Sequence, residues 1–552
     1  ERGLRAERSH LVVTNHAFVL SRPEYFSHLL FDECDHLHEV ALSVRSFEIE
    51  LDEVTALAQT LQTGRGRDRA PLERLHRLLK RLAEGDKSDA LQEQSRLALD
   101  GARKLDASGF EVARELRSFR AWRDEQAADR TPEERAFLLH EYLETGRGDG
   151  LVTALHALSR AVDQLDSSLR WAIEELGEVP LRDARRLRWS LRRPLEHLGH
   201  WREGLELWLG GESGEGDFSD HFHDHVVFEN RRQPMLVLKW ILPQQWLGSV
   251  YFPSLRNAAL VSATARLRGG FRSMQGYLGL DILAEDTIDR AGREVKEFAA
   301  PPTFDPKQAL ICVPEDAPPY GWRGSAADTW TQYVQDTLLY LAERTEGRVL
   351  GLFTNRVVLQ RVGERLAPLF RAKGLPFYWQ GMPGLTKEEI MRRFRNQTES
   401  VLLGLDTFWY GVDFPGETCE YVVMTKLPYG ALDDYVYAQK ARMGAGPHRN
   451  QIYLPKSLAM FRQGCGRLLR SERDRGAVLI LDRRALEKRH ADFLKELPGG
   501  AEEWQTPQLM VADTDACFER IFEHMDLEAS IAQRGLAQSF SACRGYAEHH
   551  DG

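Results

Sequence analysis

The chain of 552 residues has no apolar run approaching the ~18 residues that a membrane-spanning helix needs. It has no N-terminal stretch with the order of a signal peptide. Its six cysteines, Cys34, Cys312, Cys419, Cys465, Cys517 and Cys543, are too scattered for a CxxC metal site or a disulfide framework. Such usage fits a reducing cytoplasm. Basic charge is not in surplus: 73 Lys and Arg stand against 83 Asp and Glu, a formal net charge of −10. That excludes a protein coated in positive charge, but not a channel with local positive potential. Gly-x-x-x-x-Gly-Lys-Ser/Thr occurs nowhere, so the common backbone cradle for phosphates is not encoded here. There is no internal repeat and no long low-complexity tract.

What is present is ordinary globular composition, 42% hydrophobic and 28% charged, at a length that implies several domains. The run Leu11-Val-Val-Thr-Asn15-His16 reads as a short buried strand entering a turn. A second strand, Leu29-Leu30-Phe31, leads straight into Asp32-Glu33-Cys34-Asp35. In an open parallel sheet, ligands sit beyond the carboxyl ends of strands. Two carboxylates there suit Mg²⁺, which takes one or two of them with phosphate oxygens and water. A helix N-terminus is the other setting that favours such acids.

From about residue 46 to residue 215 the texture is helical, with apolar residues at helical spacing, as in Leu72, Leu75, Leu79 and Leu82. Within it Arg182, Arg185, Arg186, Arg188, Arg192, Arg193 and Arg202 are interleaved with Trp189 and Trp201. That mixture suits a single-strand path, and equally a solvated helix face. Gly210 to Gly216 forms a polar loop at its end. Strand texture returns at Met235–Leu238 and at Ala258–Val261, the latter running into Ser262-Ala263-Thr264. Beyond Pro301-Pro302 a second α/β region has strands at Ala309–Val313, Arg348–Phe353, Ser400–Leu403, Tyr421–Met424 and Ala477–Leu481. Helical stretches separate them, which implies a mostly parallel sheet. Thr354-Asn355 and the stretch Gly404–Gly416 follow two of these strands. Near the end, Gln463, Arg467 and Arg470 are spaced by four and three, which would place them on one face of a helix. Arg is the fork that suits phosphate oxygens; a solvated basic face is the alternative.

In this order the pieces resemble superfamily 2 helicases, most closely the DinG branch of the XPD-like DNA helicases. Leu29–Leu37 resembles a Walker B region, Val261–Thr264 motif III, Gly347–Thr354 motif IV, Leu403–Gly416 motif V and Gln463–Gly476 motif VI. Phe304-Asp305 and Lys426-Leu-Pro428 match further signatures. The resemblance implies an α/β fold of two RecA-like parallel-sheet motor domains, the first incomplete, with a helical Arch-type insertion. The expected boundaries are 1–45 and 216–295 for the first motor domain, 46–215 for the insertion and 296–552 for the second motor domain. It implies that Asp32 holds Mg²⁺ and Glu33 polarises the attacking water. Gln463, Arg467 and Arg470 would face the γ-phosphate of ATP, with Gly411, Asp413 and Gly466 on the nucleotide side. Thr264, Thr354, Asn355 and Trp409 would serve the DNA side.

The implied function is ATP-dependent 5′-to-3′ translocation on single-stranded DNA, or on DNA with a single-stranded tail, in the cytoplasm and in the service of DNA repair. Asp35 stands where the family usually has His, and Tyr410 where it usually has an acid. The family's phosphate loop lies upstream of the residues equivalent to Leu11–His16, as do the cysteines of its iron–sulfur cluster. Since the first residue is Glu1, the expectation is a fragment that is inactive alone. The competing expectation is a nucleic-acid-binding remnant that does not hydrolyse ATP.

Overall fold

A computed structural model describes residues 9–63, 70–82, 88–177, 182–209, 222–228, 234–267, 270–286, 294–300, 305–321, 324–405, 408, 414, 416–468, 472–497 and 508–543. The described strands in chain order are β1 (His28–Asp32), β2 (Phe47–Glu50), β3 (Phe222–Val227), β4 (Met235–Trp240), β5 (Asn257–Val261) and β6 (Ala309–Pro314). They continue with β7 (Val349–Leu352), β8 (Phe377–Trp379), β9 (Val401–Gly404), β10 (Tyr421–Met424), β11 (Gly476–Ile480) and β12 (Gln508–Ala512). The chain divides into two compact units. One takes residues up to Tyr25, His38–Leu247 and Ala431–Ala445; the other takes Phe26–Leu37, Gly248–Gly430 and Gly446 onward.

The first unit is mainly helical. Helices Leu51–Gln62, Pro71–Leu82, Ser88–Gln126, Asp149–Gly177 and Arg182–Trp208 form its body. Their buried positions recur at helical spacing: Leu51, Val54, Ala58 and Leu61 on one, Leu72, Leu75 and Leu79 on the next. Two of the long helices approach closely at Gly101, where a Cβ would lie 3.2 Å from the backbone nitrogen of Leu165. Asp166 is fully buried and binds Arg170 at 2.8 Å and Arg202 at 3.2 Å, tying Asp149–Gly177 to Arg182–Trp208. A three-stranded antiparallel sheet, β2-β4-β3, completes this unit. The strand at Met235 therefore pairs with Phe47–Glu50 and Phe222–Val227, not with the strand at Ala258. The helix Asp434–Met443 also belongs here. Tyr435 Oη donates to the carbonyls of Trp240 and Ile241 at 3.2 and 3.1 Å, Gln439 Nε2 donates to Ile241 at 2.7 Å, and Lys440 pairs with Glu133.

The run Leu11–Asn15 is not a strand. Leu11 and Val13 are 83% and 92% exposed, so no packing rewards an extended apolar run. Asn15 instead caps the helix His16–Leu20, its Oδ1 accepting from Phe18 N at 2.8 Å.

The second unit holds two parallel sheets. Seven strands run in the order β12-β6-β11-β10-β7-β9-β8, parallel throughout. Strands β6, β7, β9, β10 and β11 are buried at every position, as expected where helices cover both faces. The smaller sheet pairs β1 with β5 in the register Asp32↔Val261. That register decides the site: the loops leaving β1 and β5 emerge side by side. Among the described residues no helix is long and apolar enough to cross a membrane.

Candidate active site

The carboxyl end of β1 delivers Asp32 and Glu33 to the surface, both exposed. Glu33 has φ 51° and ψ 50°, a left-handed conformation that costs a non-glycine residue about 1–2 kcal/mol. Asp32 Oδ1 accepts the Glu33 N–H at 3.1 Å, which offsets part of that strain. The turn then drives Cys34 and Asp35 inward, to 1% and 5% exposure. Burial, and after it Asp35, push the Cys34 thiol up to about 12. It stays protonated and is no nucleophile.

Asp35 is the hub of the site. Its Oδ1 accepts from Ser262 Oγ at 2.7 Å, and its Oδ2 from Thr264 Oγ1 at 2.8 Å. Both donors come from the loop after β5. Each hydroxyl has one proton, and both are spent on the carboxylate. The 3.0 Å approach of the two hydroxyls to each other is therefore a contact rather than a further bond. Ser262 Oγ also accepts the Thr264 N–H at 3.1 Å. A third donor arrives from far along the chain: Gln463 Nε2 reaches Asp35 Oδ2 at 3.0 Å and Glu33 Oε2 at 3.4 Å. An ionised carboxylate only accepts, so Asp35 can gather three donors where a neutral imidazole could take one.

The helix bearing Gln463, Leu454–Cys465, ends before Arg467. Gly464 and Gly466 are weak helix formers, and Gly466 closes the end with its N–H on Arg462 O at 2.9 Å. The expected helical continuation from Gln463 through Arg467 is therefore not observed: Arg467 lies in the turn beyond the helix. Arg467 is only 6% exposed, which excludes a solvated basic face at that position. Gly466 is exposed in the same turn. Arg470, Trp409, Gly411 and Asp413 lie outside the described residues. Thr264, at 1% exposure, spends its hydroxyl on Asp35 and offers a DNA strand no surface. Asn355 caps the helix Arg356–Ala372, its Oδ1 accepting from Val357 and Val358 N–H at 2.9 and 3.2 Å. Thr354 is half-buried beside it.

Arg462 escaped the sequence reading. It donates to the carbonyl of Arg266 and lies 3.9 Å from Glu496. It thereby ties the Gln463 helix to the chain just past Thr264. An arginine one position before Gln463 was the only available signal, and burial is invisible in sequence.

Asp32 and Glu33, adjacent and exposed at a strand end, fit the carboxylate share of a Mg²⁺ shell whose other ligands are water and phosphate. For ATP the fit is partial, since no residue run in the sequence forms the phosphate loop. Among the described residues no three His, Cys, Asp or Glu side chains cluster as metal ligands, and none of the six cysteines is in a disulfide. They do not fit an iron–sulfur cluster.

Residues 338–500 match the family described as helicase C-terminal domain. The protein named 3′-5′ exonuclease DinG of Bacillus subtilis (strain 168) is 31% identical over 249 residues, 44% of this chain and 25% of that protein. The ATP-dependent DNA helicase YoaA of Escherichia coli (strain K12) is 30% identical over 211 residues, 37% of this chain and 31% of that one. The ATP-dependent helicase DinG of Mycobacterium tuberculosis (strain ATCC 25618 / H37Rv) is 29% identical over 259 residues, covering 45% and 35%. The chain thus spans a quarter to about a third of the length of these relatives. Among solved structures, XPD_APO shares 15% identity at a TM-score of 0.47, over 87% of this chain and 76% of that one.

Proposed function

We propose that this chain, which resembles DinG-type helicases over part of its length, is part of an ATP-dependent 5′-to-3′ DNA translocase that moves on single-stranded DNA. The observation that carries this reading is the contact of Gln463, within the helicase C-terminal segment, with Asp35 and Glu33. A catalytic acid needs its position fixed, and a long-range amide on both carboxylates does that.

In this reading Glu33 accepts the proton of the attacking water. Asp35 holds Ser262, Thr264 and Gln463 so that the acidic loop and the Gln463 helix move together. Arg467 and Arg470 answer the charge that develops on the transferring phosphoryl group. Asp32 would hold Mg²⁺, which when bound neutralises phosphate charge. Thr354 and Asn355, which follow β7, would serve the DNA side.

The reading has a rival: a nucleic-acid-binding remnant without hydrolysis, favoured by the missing phosphate loop. Two assays separate them. The purified chain should bind single-stranded DNA and hydrolyse ATP negligibly. The longest reading frame that contains it should show DNA-stimulated hydrolysis that Glu33→Gln abolishes. Strand binding without hydrolysis in that longer protein would favour the remnant. Hydrolysis by the chain alone, lost in Glu33→Gln, would refute the need for the missing cradle.

A further inference from the structure

The helix Arg182–Trp208 is amphipathic in an unusual sense. Ala184, Leu187, Leu191, Leu198, Trp201 and Leu205 are buried and form the packed stripe. Of the two tryptophans in the arginine-rich stretch, Trp201 is therefore core. Trp189 is not: it is 80% exposed. An indole left in water costs hydrophobic free energy, and nothing in the packing of this helix requires it there.

Its surroundings are specific. Arg185, Trp189 and Arg192 follow one another at spacings of four and three, so they form one column. Arg185 and Arg192 are roughly 10 Å apart along the axis. Beside the column a groove of about 520 Å³ opens between this helix and Asp149–Gly177. Ile173 and Leu195 give it an apolar floor, and Arg170 and Arg188 edge it. Glu196 is the single acid of the rim, held by Arg192 Nε at 3.1 Å. That pair is exposed, hence weak and easily exchanged. Arg170 answers the buried Asp166. Arg185 is exposed and makes no ion pair among the described residues. Arg188 Nε is buried without a partner. Positive charge is thus left over around a flat, bare aromatic face.

We propose that this groove is a seat for one nucleotide of a single nucleic-acid strand. Its base stacks on Trp189, and its two flanking phosphates meet Arg185 and Arg192. The inference rests on the strand binding proposed above and says where on the helical unit one contact is made. A base supplies a π-face of any sequence; one phosphate supplies the anion that Arg185 lacks, and the other takes Arg192 from its exposed, weak pairing with Glu196. An acidic peptide would satisfy the arginines but leave the indole unused. The seat is therefore sequence-tolerant, and it reads bases by stacking only.

The test uses the whole chain with three probes: a short oligothymidylate, an abasic strand of the same length, and polyglutamate. Trp189 is exposed, so substitution there should leave the fold intact. Trp189→Ala should weaken oligothymidylate binding roughly 5- to 150-fold and leave abasic-strand binding unchanged, while Trp189→Phe keeps most of the affinity. Arg185→Ala and Arg192→Ala should each flatten the salt dependence of strand binding by about 0.7 in log–log slope. Oligothymidylate binding that Trp189→Ala leaves unchanged removes the seat alone. Weakened polyglutamate binding with unchanged oligothymidylate binding makes the groove a protein-docking surface and also removes it. If the unaltered chain binds no oligothymidylate, the proposed function falls, and the seat with it.

Discussion

Removing the Asp35 carboxylate should loosen the acidic loop in a graded way that depends on the replacement. Asp35→Ala deprives three donors of their acceptor, at 2.7, 2.8 and 3.0 Å. The hydroxyls of Ser262 and Thr264 are already 3.0 Å apart, so one can turn to the other and recover a bond. One buried hydroxyl is orphaned and the Gln463 amide keeps only the longer contact with Glu33 Oε2 at 3.4 Å, losses of about 1–3 kcal/mol each in a buried setting. Partial access to solvent at Gln463 lowers its share, and about 3 kcal/mol is the expected total. Asp35→Asn keeps the shape and one acceptor. Its amide can donate to Ser262 Oγ, so about 1 kcal/mol is expected. Asp35→His, the residue usual at this place in the family that the sequence resembles, offers one acceptor when neutral and should fall near Ala. A global melt of a chain with two units need not be two-state. Hydrogen exchange at the Thr264 amide, which donates within this network, is the sharper assay. Asp35→Ala should speed it on the order of 100-fold and Asp35→Asn less than tenfold. Equal protection in Asp35→Ala and the unaltered chain would refute the hub assigned to Asp35.

In the longer reading frame, Arg467→Ala and Arg470→Ala should each slow ATP hydrolysis roughly tenfold or more with DNA affinity nearly unchanged, because the charge they answer develops in the transition state; normal turnover in both would remove them from the site. The stacked pair His223 and His225 is buried. Desolvation, followed by His225 and Arg442 for the first and by Lys239 for the second, pushes them down to about 3 and about 4. The unfolded chain binds protons near 6.5, where the folded one does not, so stability should be full above pH 6.5 and fall as pH drops toward 4. His223→Gln with His225→Gln should flatten that dependence in urea melts followed between pH 7 and pH 4, and an unchanged slope would contradict the burial. Gly363→Ala should destabilise the second unit by about 1–3 kcal/mol, because its Cβ would lie 2.6 Å from the Trp379 ring; an unshifted urea midpoint would contradict that packing.

Strands buried on both faces were legible because they read as unbroken Val, Ile and Leu runs. The Ala309, Arg348, Ser400, Tyr421 and Ala477 segments all lie in the seven-stranded sheet. Strand β8 is only three residues long; β12 was missed although Leu509–Ala512 is an apolar run, and it lies at the sheet edge with Leu509 and Val511 exposed. Strand β2 was hidden at the head of a long helical stretch because it is only four residues long, Phe47-Glu48-Ile49-Glu50, and β3 was hidden by three consecutive polar residues, His223, Asp224 and His225. At the site, the acids after β1 and the hydroxyls after β5 could be named from sequence. Their mutual bonding could not, because it depends on the β1–β5 register. The helical continuation through Arg467 failed for a local reason, the two glycines at 464 and 466. Trp189 and Trp201 look alike in sequence, and only the buried stripe of the helix separates them.

The most direct test is steady-state ATP hydrolysis, with and without single-stranded DNA, by the 552-residue chain and by the longest reading frame that includes it. Negligible turnover by the chain, and DNA-stimulated turnover by the longer protein that Glu33→Gln abolishes, is the expected result. DNA-stimulated turnover by the chain alone, or a longer protein that binds strands and leaves ATP intact, would contradict it.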